Sequence, residues 1–262
     1  MVNYTFDLDT IEYFLLILVR ISCFVLTAPF FSMKGVPGQT KIGLSALLSI
    51  MMLSTLGVDS YKADYVSVIG YGVIVFKEAI TGMLLGFAAN ICSAIVQFAG
   101  NVMDMDLGFS MVTEFDPSMN SQITITANMY YYFTLLLLLT GGMHRYLIHS
   151  LCDSFTLIPV GLVEFKRRIL LEAMTRYMGN LFVIGFRVML PVFSVMLIMN
   201  VLLGIMAKVA PQMNMFTIGV QLKILVGFAI MYLLVFLFPE VVDLVSQQIK
   251  INLRNFAEGL HS

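Results

Sequence analysis

Six charged residues stand inside or at the edge of long apolar runs: Glu12, Arg20, Lys77, Glu78, Arg187 and Lys223. A charge at bilayer mid-depth costs at least about 2.5–3.5 kcal/mol on insertion scales, so such groups face protein or water rather than lipid. Two readings suit them: an ion-coupled relay, or a structural role as pairs between subunits or as side chains snorkelling near helix ends. No cluster of acids lies in the middle of a run, and that favours the structural role. Lys77 and Glu78 are neighbours in sequence, so on a helix they point about 100° apart and need separate partners.

Catalytic groupings are sparse. His144 and His149 are five residues apart, a spacing that does not stack them on one helical face, and no acid or Cys completes a metal set around them. Asp153 follows His149 by four residues and reads as support for a helix end. No Gly-rich phosphate loop with its Lys is present, and no Ser or Thr sits in a nucleophile motif. Cys23, Cys92 and Cys152 are odd in number and far apart without a CxxC, a pattern suited neither to a disulfide framework nor to zinc. The sequence therefore predicts a non-enzymatic chain with no cofactor and no metal.

The surroundings of these groups are those of a membrane protein. Of 262 residues, 59% are hydrophobic and only 12% charged, with a mean hydropathy of +0.91. Soluble domains are nearer half apolar and a quarter charged. The net charge of −1 gives no basic face for nucleic acid. Twenty Met and no Trp supply unbranched side chains suited to surfaces that repack. The acidic opening "MVNYTFDLDTIE" and the interrupting Arg20 do not read as a signal peptide.

Six apolar segments are predicted as helices of one all-α domain: Ile11–Phe31, Ile42–Gly57, Val66–Phe98, Ile123–Thr140, Tyr177–Ala207 and Phe216–Phe238. Lipid leaves no water for open strand edges, so helix is the conformation they require. Val66–Phe98 and Tyr177–Ala207 would each run about 50 Å against a hydrocarbon core of about 30 Å, whereas Ile42–Gly57 is short for a span. Pro191 removes an internal hydrogen bond and predicts a kink or break in the fifth segment. Gly82 and Gly86, in "GMLLG", have the spacing that lets two helix backbones approach closely. Phe165–Met178 interleaves bases and acids with apolar residues, as an amphipathic helix does.

Orientation is ambiguous. With six spans, the loops on the N-terminal side carry Lys62, Arg145, Lys166, Arg167, Arg168, Arg176, Lys250 and Arg254, against Lys34, Lys41 and Lys208 opposite. That bias places the N-terminus in the cytoplasm, yet the residues flanking the first segment vote the other way. Helices that do not cross the bilayer would produce this conflict. A transporter for small solutes remains the alternative suggested by Pro191 and the charges, although no internal repeat accompanies them.

The segment "LGFSMVTEFDPSMNSQ", Leu107 to Gln122, is too polar for a span and rich in Phe and Met for a loop. Gly108 and Asp116-Pro117 allow sharp folding. Phe109, Met111, Phe115 and Met119 offer deformable apolar contacts with Glu114 beside them, and the segment also reads as an ordinary acidic interhelical loop.

Three stretches in order resemble one family. "RVMLPVFSVMLIMNVLLGIMAKVAPQMNMFTIGVQLKILVGF" carries Arg187, Leu190-Pro191, Asn200, Gly204 and Ala210-Pro211-Gln212 with Asn214, Phe216 and Gly219. "VRISCFVLTAPFFSMKGVPGQTKIGLS" carries Arg20, Pro29, Val36-Pro37 and Lys41, and "LIHSLCDSFTLIPVG" supplies the third match. Nearly the whole chain resembles the FliR family, the R subunit of the flagellar type III protein-export gate, which is homologous to the T subunit of virulence type III secretion systems. The resemblance implies helical hairpins assembled with P and Q subunits, one R copy per complex, at the channel entrance for unfolded flagellar proteins. It implies further contacts with the B switch subunit, the A export subunit and membrane lipid. It also places the chain in the bacterial inner membrane within the flagellar basal body, partly above the ordinary bilayer plane. Residues 107–122 resemble the family's plug loop through Gly108 and Asp116-Pro117, which implies that their Phe and Met side chains exclude water and ions, while Pro211 followed by the polar Gln212 and Asn214 reads as an interhelical turn.

Overall fold

A computed structural model describes residues 8–33, 35–56, 68–108, 125–212 and 214–260. Among them the chain is all-α, with nine helices in order: α1 Leu8–Thr27, α2 Gly38–Leu56, α3 Val68–Ala89, α4 Ile91–Leu107, α5 Ile125–Thr140, α6 Met143–Leu157, α7 Arg167–Val209, α8 Met215–Leu234 and α9 Phe238–Leu260. Five contain windows long and apolar enough to cross a membrane: Thr10–Thr27, Gly38–Leu56, Val68–Ala89, Arg167–Val209 and Thr217–Leu234. The protein is an all-α membrane protein.

Two compact units form. The first comprises residues 1–91, 142–177 and 247–262, the second 92–141 and 178–246. In the first, α1 packs against α2 and α3, and its Leu16, Ile17, Ile21 and Phe24 are buried. Gly82 and Gly86 make the α1–α3 approach possible. A Cβ on Gly82 would overlap the Arg20 carbonyl oxygen, and one on Gly86 would overlap the Thr27 hydroxyl. In the second unit the α4 and α5 backbones meet at Gly100, where a Cβ would strike Ala127. Phe98 packs edge-on against Phe182 and Phe186 of α7, at centroid distances of 5.2 and 5.5 Å.

Three sequence expectations change. Val66–Phe98 is not one long helix, because a turn at Asn90 separates α3 from α4. The short amide side chain of Asn competes for backbone groups and disfavours a helix interior. Of the kink or break expected at Pro191, the break does not occur, and α7 runs unbroken from Arg167 to Val209. Proline forfeits one hydrogen bond, and an apolar helix with 18 residues on its C-terminal side retains enough others to continue. The stretch Phe165–Met178, expected as an amphipathic helix, supplies the first turns of α7 from Arg167 onward. Finally, α6 and α9 both lie outside the six apolar segments, and α9 begins at Phe238-Pro239-Glu240. Its Val242, Val245, Ile249, Leu253, Phe256 and Leu260 recur at helical spacing and are buried.

Candidate functional site

Of the six charges, two meet. Arg20 on α1 and Glu78 on α3 are both fully buried. Arg20 Nε donates to Glu78 Oε2, and Nη2 donates to Oε1 at 3.0 Å. Nη1 donates to the carbonyl oxygens of Ser154 at 3.3 Å and Ile158 at 2.9 Å, at the end of α6. Glu78 Oε1 also accepts the N–H of Gly161 at 2.8 Å. The Phe155 ring covers the guanidinium, with its centroid 4.5 Å from Cζ. This fork-to-fork geometry is the strong form of the ion pair. Its remaining hydrogen bonds reach the end of α6, where Ser154 O already accepts the Ile158 N–H at 2.9 Å and the Ile158 carbonyl lies beyond the last helical turn. The clasp therefore joins α1, α3 and the 154–161 turn. Gly161 has a φ of +85°, a left-handed conformation that glycine adopts without strain.

The other charges are not drawn into this clasp. Glu12 and Lys77 are half-buried, and the Glu12 carbonyl accepts the Tyr71 hydroxyl at 3.2 Å. Lys223 on α8 is half-buried and acts electrostatically on Asp106. Burial pushes the Asp106 carboxyl up from the ordinary carboxylate range, and Lys223 partly opposes that rise. Arg187 is exposed. His149 Nδ1 lies 3.3 Å from Asp153 Oδ1 as an exposed pair on α6, one turn from its end. Among the described residues no group of three or more His, Cys, Asp or Glu is placed to hold a metal.

The family-matched residues do not form one site. Arg20, Pro29, Pro37 and Lys41 lie in the first unit. Pro29 is buried in the turn after α1, beside Phe30 with φ 71°. The Pro37 carbonyl accepts the N–H groups of Thr40 and Lys41 at 3.0 and 3.3 Å and so starts α2. In the second unit, Arg187 and Pro191 border a cavity of about 180 Å³ with Tyr130, Phe238 and Glu240. Asn200 and Gly204 sit exposed on α7. Pro211 and Gln212 form the turn between α7 and α8, and Asn214 directly precedes α8.

Of the plug-like residues, Gly108 ends α4 with a φ of +83°. Phe109, Met111, Glu114, Phe115, Asp116, Pro117 and Met119 lie outside the described residues. The stem of that segment is described, and it contains a residue that the sequence reading passed over. Asp104 is fully buried, and its Oδ2 accepts the N–H of Thr126, in the first turn of α5, at 3.0 Å. A carboxylate there satisfies an orphan donor and favours the positive end of the helix dipole. The available signal was an Asp-x-Asp pair placed just before Gly108 at the end of an apolar run.

Residues 11–249 match the model for bacterial export proteins, family 1. The chain is 32% identical to the flagellar biosynthetic protein FliR of Bacillus subtilis (strain 168), over 84% of this chain and 85% of that one. It is 30% identical to the FliR of Escherichia coli (strain K12), over 82% and 80% of the two chains. It is 27% identical to the FliR of Aquifex aeolicus (strain VF5), over 87% and 88%. With its helical fold and this length of match, the chain belongs to the bacterial export proteins of family 1, and among them to the FliR family.

Proposed function

We propose that the chain is a non-enzymatic subunit of the flagellar type III protein-export gate, building with P and Q subunits the entrance through which unfolded flagellar proteins leave the cytoplasm. The observation that carries this reading is the family match over residues 11–249. The surface agrees with it. Helix α7 leaves Val183 66%, Ile198 57% and Val201 55% exposed among many other large apolar side chains. Such a face needs lipid or partner helices to cover it. One R copy per complex, contacts with the B switch and A export subunits, and an inner-membrane position within the basal body complete the proposal. Relatives named for the flagellum favour that system over a virulence one.

For the alternative, an ion-coupled small-solute transporter, the clasp removes two of the six charges from consideration. Arg20 and Glu78 spend their hydrogen bonds on each other and on backbone within the fold, so neither is free to serve a relay. Residues 107–122 act in this proposal as a seal of the resting channel. Their Phe and Met side chains exclude ions, while Gly108 and Asp116-Pro117 shape the loop. Purification of the tagged chain in mild detergent tests the assembly: P and Q subunits co-purify in the expected case, and isolation as a lone monomer overturns it. Shortening Gly108–Met119 tests the seal, with intact assembly and a resting ion leak expected. Unchanged conductance contradicts it.

A further inference from the structure

The 180 Å³ cavity of the second unit is bordered by two charges of opposite sign that do not meet each other. It lies among α5, α7 and the start of α9, with Tyr130, Arg187, Pro191, Phe238 and Glu240 around it. The Arg187 and Glu240 side chains are exposed and enter no hydrogen bond or ion pair among the described residues. Tyr130 is 2% exposed, and its hydroxyl is buried without a hydrogen-bond partner among the same residues. An unmade hydrogen bond at a buried hydroxyl is costly. Arg187 also stands on an apolar face, with Val183 one turn before it and Leu190 three residues after it both exposed. A guanidinium on such a face needs an anion, and a phosphate accepts its two parallel N–H groups.

A second cleft adjoins the first at Tyr130. It measures about 500 Å³ and is lined by Met129, Tyr130, Tyr132, Phe133, Leu136 and Val235, none of them charged. That volume falls within the ~300–1,000 Å³ of small-ligand sites. The side chains nearby are those that mark the level of lipid headgroups. Tyr132, Tyr232 and Phe236 are all exposed, and the last two rings meet edge-on at 5.9 Å. Tyrosine, with an apolar body and a polar tip, is enriched where hydrocarbon meets water.

We propose that this face holds one phospholipid of the zwitterionic class whose head carries a phosphate and a primary ammonium. The phosphate lies on Arg187, the ammonium reaches the Glu240 carboxylate, and an acyl chain occupies the apolar cleft. Tyr130 borders both spaces and offers its hydroxyl to the oxygens where head and chain join. The charge pattern selects this occupant. A purely anionic head leaves Glu240 without a counter-charge, and a choline head offers the carboxylate no N–H donor. The site goes beyond the export-gate reading and does not rest on it, since this chain alone supplies its residues.

The test is native mass spectrometry of the full chain, purified in mild detergent together with the subunits that accompany it. Bound lipid is counted during titration with dioleoyl phosphatidylethanolamine, phosphatidylglycerol or phosphatidylcholine. The expected result is one site that takes phosphatidylethanolamine roughly tenfold more tightly than the other two, as one charge-assisted hydrogen bond allows. Arg187→Gln is expected to weaken binding of all three. Glu240→Gln is expected to remove the preference over phosphatidylcholine without weakening phosphatidylcholine itself. Leu136→Gln, in the apolar cleft, is expected to weaken all three and keep their order. The three positions are exposed, and circular dichroism confirms that each variant retains its helices. Equal affinity for the three lipids, or an unchanged preference in Glu240→Gln, overturns the proposal. Displacement of the lipid by millimolar inorganic phosphate makes this a phosphate site and overturns the lipid assignment. Binding by the isolated chain but not by the complex gives the face to a partner helix and overturns it as well.

Discussion

Gly82 brings α3 so close to α1 that a Cβ there would overlap the main-chain carbonyl of Arg20, whose side chain is held by Glu78 one helical turn earlier. The two contacts lie on one face of α3 and depend on each other: the glycine sets the distance at which the carboxylate meets the guanidinium. Gly82→Ala therefore forces the helices apart, at about 1–3 kcal/mol for overpacking. A lower midpoint of thermal unfolding in detergent is the expected result. Gly72→Ala, whose Cβ would meet nothing within 4 Å, is the control and leaves the midpoint near wild type.

Removing one partner of the clasp leaves the other charge buried. Arg20→Ala and Glu78→Ala are each expected to cost about 3–5 kcal/mol and to lower the protein's abundance in membranes. The double change Arg20→Met with Glu78→Leu removes both charges and is expected to recover part of that loss. Equal abundance of the single and double variants, measured by quantitative blotting, contradicts a paired role.

Gly108 offers a backbone test free of packing effects. A Cβ there would touch nothing within 4 Å, yet φ is +83°. Gly108→Ala is expected to destabilise the end of α4 by about 1 kcal/mol through its left-handed conformation. Gly108→Asn, which tolerates that region better, loses less. Hydrogen exchange at the Met105 to Gly108 amides reads the difference.

Asp106 gives a pH dependence of definite sign. Its pKa is raised by burial in the folded chain, with Lys223 lowering it in part. The folded state consequently holds the proton more tightly than the unfolded state. Stability is greatest below the ordinary carboxylate range and falls as pH rises through it toward the raised value. Asp106→Asn is expected to flatten this part of the stability profile in detergent. An unaltered slope contradicts the assignment.

The helical class was legible from hydropathy alone, since apolar runs of this length in a chain 12% charged have no other solution. Arg20 and Glu78 were legible as groups needing partners, but not as partners of each other. They are 58 residues apart, and only the packing that Gly82 permits brings them together. Asn90 and Pro191 differ in where helices end. One polar residue in a Gly- and Ala-rich stretch ended a helix, whereas a proline within a long one did not. The apolar spacing that forms α9 is diluted by Asp243, Gln247, Gln248, Lys250 and Asn252, so hydropathy hid it and only its 3–4 residue periodicity marked it. Asp104 escaped notice because its partner is a backbone N–H, and a sequence does not display which amide a distant carboxylate will reach.

Export itself provides the most direct measurement of the central claim. In a strain lacking this chain, hook and filament proteins are expected to be absent from the culture medium and to return when the chain is supplied in trans, while the export ATPase remains active throughout. Normal secretion of both proteins by the deletion strain would contradict the account.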